Sequence, residues 1–319
     1  MERVRKTSAA LASLSLAVVA LTGCSAASSD SATASFDGET CNRAASTSGV
    51  DDAVEVGGDF GISPDVELFT PLRAEKTSFT DLTTGAGTPL TAPQQLMVVD
   101  IALYNGTTGD QIVATEFDGD LTRMSNIDSW TQQIPGIGTV LECATPGTRV
   151  LAAITPEDVG DAAMQGFALE EDTTVVAVID VLDTKLSRAT GALQFNDAGG
   201  VPTVVRAPDG RPGIIIPDSE APTEQVEQVL IKGDGEQVTA DAAVWVNYTA
   251  VAWDTKAVSQ TTWDSTPVTD LAQSAPTVAE ALIGHTVGSQ LLVVVPATEA
   301  SAAVAYAVDI LGVTSLTEQ

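Results

Sequence analysis

Apolar residues in this chain cluster in short runs bounded by Gly, Pro, Asn and Asp, the pattern of strands separated by turns. The clearest runs are LMVVDIALYNG (96–106), TRVLAAIT (148–155), VIDVL (178–182), AVWVNYTA (243–250), SQLLVVVP (289–296) and AVDIL (307–311). Helical spacing occurs in two short places. Ile137, Val140 and Leu141 sit at i, i+3, i+4, and Val278, Ala281 and Leu282 do the same. That spacing puts each trio on one helix face. Each helix is followed by a glycine, Gly147 or Gly288, and then by an apolar strand. A glycine there ends a helix because it accepts the left-handed conformation.

The two helical places belong to a longer repeat. The same interval separates Pro64 from Pro212 and Gly85 from Gly233. The interval from IPGIGTVLECATPG (134–147) to APTVAEALIGHTVG (275–288) is shorter, and that from VIDVL to AVDIL shorter still. A steadily shrinking interval marks a second copy that has lost loops. Each copy reads as an α+β unit with several strands, one short helix and a closing strand. The segment SRATGALQFNDAGGVPTV (187–204) has the Gly and polar content of a linker. The expected plan is therefore a leader at 1–23, a flexible tether at 24–55, a first domain at 56–187, a linker at 188–204 and a second domain at 205–319.

With 319 residues there is room for two such cores. The formal net charge is −29, which would repel nucleic-acid phosphates and anionic lipid head groups; no nucleic-acid partner is expected. The N-terminus has a basic start (Arg3, Arg5, Lys6) and an uncharged apolar segment from Ala9 to Leu21. That segment is too short and Ser-rich for a membrane span. It ends in Leu21-Thr22-Gly23-Cys24, which resembles the lipobox of bacterial lipoproteins. The resemblance implies cleavage before Cys24, a lipid on its sulfur, and anchoring to the outer face of the cytoplasmic membrane. Two cysteines remain, Cys41 and Cys143. Outside the cytoplasm they are candidates for a disulfide, or else two separate thiols.

The ordered set of a GDG turn (233–235), VNYTA (246–250), the helix IPGIGTVLECATPG and the closing strand AYAVDILGV (305–313) resembles FKBP-type peptidyl-prolyl cis-trans isomerases, present twice. The resemblance covers about 60–186 and 205–314, and the whole chain is similar to tandem FKBP lipoproteins of bacteria. It implies, for each copy, a bent antiparallel sheet wrapped around one short helix, with an apolar pocket for a proline ring between them. It also implies X-Pro segments of secreted or envelope proteins as partners, and no cofactor or metal.

In the first copy the family's pocket positions map to Tyr104, Ile134 and Ile137, with Ala177 in place of the last-strand Phe. Phe117 and Asp118 are the nearest Phe-Asp pair. In the second copy they map to Tyr248, Val278 and Tyr306. The Phe-Asp position there falls on Trp263 and Asp264 with an insertion, or on Ser259 and Gln260 without one, the ungapped alignment being preferred. Neither copy carries the full aromatic set.

Other chemistry is sparse. His285 is the only histidine and has no partners at metal-ligand spacing. The GDG turn is not followed by a Lys or a long helix, so it is a turn and not a phosphate loop. Glu170-Glu171-Asp172 lacks the pattern of a calcium loop. The function implied is a lipid-anchored prolyl isomerase acting on secreted chains as they fold. The alternative is a non-catalytic FKBP-fold lipoprotein that binds extended segments, like a chaperone. A solute-binding lipoprotein fits poorly, because nothing suggests a two-lobed hinged cleft.

Overall fold

The computed structural model describes residues 33–36, 39–47, 49–195 and 199–315. Cys24 and the leader lie outside them. In the first half the strands are β1 (Thr33–Phe36), β2 (Glu39–Asn42), β3 (Val54–Gly57), β4 (Asp65–Leu68), β5 (Ser78–Thr83), β6 (Leu96–Asn105), β7 (Gln111–Ala114), β8 (Ser125–Asn126), β9 (Arg149–Ile154) and β10 (Val175–Thr184). In the second they are β11 (Ala192–Leu193), β12 (Thr203–Arg206), β13 (Pro212–Ile215), β14 (Val226–Lys232), β15 (Ala242–Ala252), β16 (Val258–Thr261), β17 (Gln290–Val295) and β18 (Val304–Ser315). The helices are α1 (Ile127–Thr131), α2 (Gly136–Leu141), α3 (Pro156–Val159), α4 (Asp161–Gly166), α5 (Leu271–Ser274) and α6 (Pro276–Leu282).

Two six-stranded sheets dominate. The first runs β5-β9-β10-β6-β7, with β8 on the end of β6; the second runs β11-β14-β17-β18-β15-β16. Their pairings are antiparallel throughout. Five strands of each follow the same order, and the irregularities coincide. The register of β6 on β7 shifts after Leu103, and that of β15 on β16 after Ala250. The pairing of β10 with β6 skips Leu182, and that of β18 with β15 skips Leu311. The bulges, which bend a strand and increase its twist, thus fall at equivalent places in the two sheets.

Both faces of each sheet are covered. Helices lie on one face, over cores containing Ile101, Ile137 and Leu141 in the first sheet and Val278, Leu282 and Leu291 in the second. On the other face lie the hairpins β3–β4 and β12–β13, over Tyr104, Leu151 and Val178 or Trp253, Leu292 and Val294. Each half thus has three layers.

One short helix per copy was expected, and the structure has more. Asn126 opens α1 with a capping box: its Oδ1 accepts the Ser129 N–H at 2.8 Å, and the Asn126 N–H donates to Ser129 Oγ. Pro135 then separates α1 from α2, since proline has no N–H to continue the helix. Pro276 separates α5 from α6 in the same way. The first half also inserts α3 and α4 before its last strand, with Thr155 capping α3.

The glycines of the GAG and GDG turns have one steric cause. A Cβ on Gly85 would come within 1.9 Å of the Pro146 carbonyl oxygen, and one on Gly233 within 2.2 Å of that of Val287. Only glycine lets these turns press against the helix-to-strand corner.

Parts of the expected tether and linker pair with the sheets. Of the 24–55 tether, residues 41–47 lie along the edge of β5. Thr47 N–H donates to the Phe79 carbonyl at 2.8 Å, and Asp81 N–H to that of Ala45 at 2.7 Å. Arg43 forks onto Asp81 at 2.8 and 2.7 Å and stacks over the Phe79 ring. A disulfide joins Cys41 to Cys143. The polar composition that reads as tether is also what an unpaired sheet edge needs to be covered. Of the 188–204 linker, Ala192–Leu193 is an edge strand of the second sheet and Ala189 is buried. The described residues of both halves belong to one compact unit, and each half has its own core. The halves are joined by bonds such as Leu186 N–H to the Leu311 carbonyl and Asn126 Nδ2 to Thr266 Oγ1, each 3.0 Å.

Candidate functional site

A hollow of about 510 Å³ opens between β6, β7, α1 and α4 of the first half. Its apolar wall is Ile101, Leu103, Val113, Trp130, Ile134 and Phe167. Thr115, Gln132 and Gln133 supply its polar rim. The volume is in the range that holds a small ligand or a side chain with its flanking backbone.

Local structure fixes this wall. Trp130 and Ile134 stand one helical turn apart, and the Ile134 N–H donates to the Trp130 carbonyl at 2.8 Å. The indole N–H donates to Ser125 Oγ at 3.0 Å, which orients the ring. Phe167 follows α4, so the insert before the last strand supplies the opposite side. Thr115 Oγ donates to Asp100 Oδ1 at 2.7 Å and accepts the Ile101 N–H at 3.0 Å, locking β7 onto β6. Gln132 Nε2 is held by Asp128 at 2.8 Å.

Of the expected pocket residues, Ile134 alone lines this hollow. Ile137 is fully buried beneath it in the core. Tyr104 and Phe117 lie on the opposite face of the sheet, under the β3–β4 hairpin. There the Tyr104 hydroxyl donates to the Pro64 carbonyl, and burial, with the Asp65 carboxylate adding to it, raises its pKa. Adjacent strand residues point to opposite faces, so Leu103 and Ile101 take the place expected for Tyr104. Asp118 is turned to solvent and bound by Arg123. A hydrogen bond from the Asp120 N–H, followed by the Arg123 contact, lowers its pKa.

In the second half Tyr248 and Val278 are buried, and Tyr306 packs against the same core. The two tyrosine rings meet at 6.0 Å. Burial raises the pKa of both hydroxyls. Tyr248 corresponds to Ile101, because its N–H bonds to Thr262 Oγ as that of Ile101 bonds to Thr115 Oγ. Tyr306 corresponds to Ala177. Two tyrosines thus occupy the inner face where the first half has Ile and Ala.

A separate cavity of about 240 Å³, by α5 and α6, is lined by neither tyrosine. Trp263 lines a crevice of about 480 Å³ between the halves, with Pro93, Pro208 and Asn247. Asp264 pairs with Arg211 at 3.0 Å, which holds its carboxyl below the usual range. Ser259 and Gln260, the ungapped alternative, are exposed on β16. Neither alignment of the Phe-Asp pair puts a carboxylate into a hollow beside Tyr248.

The hollow's apolar wall departs from the sequence reading mainly through Trp130 and Phe167. Trp130 is the lone tryptophan of the first half and stands four residues before Ile134, a helical spacing that could have pointed to it. Among the described residues no group of three His, Cys, Asp or Glu could hold a metal.

No protein-family model matches the chain, and no curated protein matches it. Among solved structures it is similar to the three FKBP domains of wheat FKBP73, at 14% identity, over 75% of this chain and 95% of that one, with a TM-score of 0.34. It is also similar to FkpA from Escherichia coli, at 20% identity over 34% of this chain and 47% of that one, TM-score 0.29. A peptidyl-prolyl isomerase from Pseudomonas syringae pv. tomato gives 17% identity over 35% and 77%, TM-score 0.28. What the hollow can do follows from its own lining.

Proposed function

We propose that the first-half hollow binds a prolyl residue of an extended segment and speeds its cis-trans isomerisation. The observation that carries this reading is the apolar hollow itself, open between sheet and helix and walled by Trp130, Ile134 and Phe167. An X-Pro bond turns slowly because amide resonance sets a barrier of about 18–20 kcal/mol. The twisted amide has lost that resonance and much of its charge separation. An apolar wall therefore favours it over the planar form, with no acid, base or metal needed. Each tenfold in rate requires only about 1.4 kcal/mol of such preference.

The proposed setting is extracytoplasmic, with a lipid on Cys24 and X-Pro segments of secreted or envelope proteins as partners. The order of basic start, apolar segment and cysteine supports it, as does a Cys41–Cys143 disulfide, a bond that persists in oxidising compartments. Among the described residues no helix is long and apolar enough to cross a membrane.

One observation favours a second reading, binding without catalysis: Tyr104 and Asp118 both face away from the hollow. The same measurement separates the two. Exchange NMR of a Leu-Pro model peptide with the purified full-length chain should show faster cis-trans exchange. Peptide shifts on the hollow without acceleration leave binding alone, and no shifts end both readings.

A further inference from the structure

We propose that the hollow selects segments whose prolyl or apolar residue is flanked by lysine or arginine; this rests on the binding role given to the hollow above. Its lining carries no charge, but its border does. Every residue within two positions of a lining residue that carries a charge at neutral pH is acidic: Glu116 beside Thr115, Asp128 before Trp130, Asp161 before Ala162, and Asp100 on the far face of β6. Asp128 touches the rim directly through Gln132. Arg123 brings no free positive charge to the border. It is shared among Glu116 at 2.9 Å, Asp118, and Asp120 at 3.9 Å, so that loop stays net negative.

Consecutive Cα atoms lie about 3.8 Å apart, which places Glu116, Asp128 and Asp161 within roughly 10 Å of the lining. That distance is close to the Debye length at physiological salt, about 8 Å. A cation on the bound segment would feel all three, and an anion would be repelled by all three. Two flanking lysines in place of glutamines should then tighten binding about twentyfold at 10 mM salt and about threefold at 0.15 M.

The test compares Ac-Lys-Ala-Leu-Pro-Phe-Lys-NH2 with its Gln-flanked counterpart by calorimetry on the full chain, at both salt concentrations. Two triple variants go alongside. One is Glu116→Gln with Asp128→Asn and Asp161→Asn. The other removes three exposed charges far along the chain, Asp234→Asn, Glu236→Gln and Glu299→Gln. The expected result is a salt-sensitive preference for the Lys peptide, reduced severalfold in the first variant and kept in the second. Equal affinity for the two peptides overturns the inference while leaving the hollow's binding role standing. Equal loss in both variants also overturns it, because the preference would then come from the overall charge. If neither peptide binds, the binding role fails first and the inference with it.

Discussion

Asp309 ties the linker to the second sheet through uncharged donors. Its carboxylate accepts Gln290 Nε2 at 2.6 Å and the Ala189 N–H at 2.8 Å, and the charges of Arg206 and Arg188 offset its burial only in part. Burial pushes Asp309 up to about 6 from the ordinary 3.8. The folded state therefore holds the proton more tightly than the unfolded one. This contribution to stability is complete below about pH 4 and is lost as pH rises through 6. A shift of about two units at about 1.4 kcal/mol each makes the loss roughly 3 kcal/mol.

Exposed carboxylates such as Asp118 and Asp264 are shifted downwards, so their contributions run the other way. The difference between the wild type and Asp309→Asn cancels them. Asparagine cannot ionise, and its single acceptor oxygen adds only an offset that does not depend on pH. Urea unfolding at pH 4 and pH 7.5, followed by tryptophan fluorescence, reads the second half through Trp245, Trp253 and Trp263. The variant should gain about 3 kcal/mol relative to wild type between those two pH values. A difference that stays flat within about 0.5 kcal/mol refutes the reasoning.

Replacing Arg149 by Met leaves the Asp180 carboxylate, bound at 2.6 and 2.7 Å, buried without its cation. The expected loss is about 3–5 kcal/mol by urea midpoint. Cys41→Ser with Cys143→Ser opens a loop with a sequence separation of 102, for which chain entropy gives a loss of about 4–5 kcal/mol. Reductant should then lower the wild-type melting temperature and leave that of the double variant unchanged. Trp130→Ala should weaken Leu-Pro peptide binding about tenfold or more by NMR titration. Tyr104→Phe, on the far face of the sheet, should leave binding as it was.

The order of elements was legible in the sequence because glycines, prolines and apolar runs mark where strands start and stop. The facing of β6 was not. All of Leu96 to Tyr104 is buried, since the hairpin covers one face and the helices the other. A strand buried on both sides reads as a continuous apolar run, and alternation then says nothing about which residue meets which layer. Tyr104 and Tyr248 both fall within apolar runs and invite a match, but they stand three residues apart in register. Trp130 stands a helical turn before Ile134, but its helix is only five residues long and Pro135 follows, so that single spacing is all the periodicity the segment offers. The strap over β5 was hidden by composition, since a polar segment covering a sheet edge resembles a tether.

Hydrogen bonds align the repeat where apolar residues could not. Asp100 accepts from Thr115, and at the same interval Asn247 accepts from Thr262. Asp180 lies opposite Asp100 and is bound by Arg149; Asp309 lies opposite Asn247 and is bound by Gln290. Between the copies, Asp has become Asn where Arg has become Gln. A buried carboxylate and a buried guanidinium each need the other, so losing one alone would leave a charge stranded in the interior. The paired change keeps the local charge the same and swaps a forked ion pair for amide hydrogen bonds. If that coupling holds, Arg149→Gln alone should destabilise the first half strongly, while adding Asp100→Asn should recover at least 1 kcal/mol in a double-mutant cycle. Strict additivity of the two substitutions would mean that the buried groups changed independently, and the alignment would lose its physical basis.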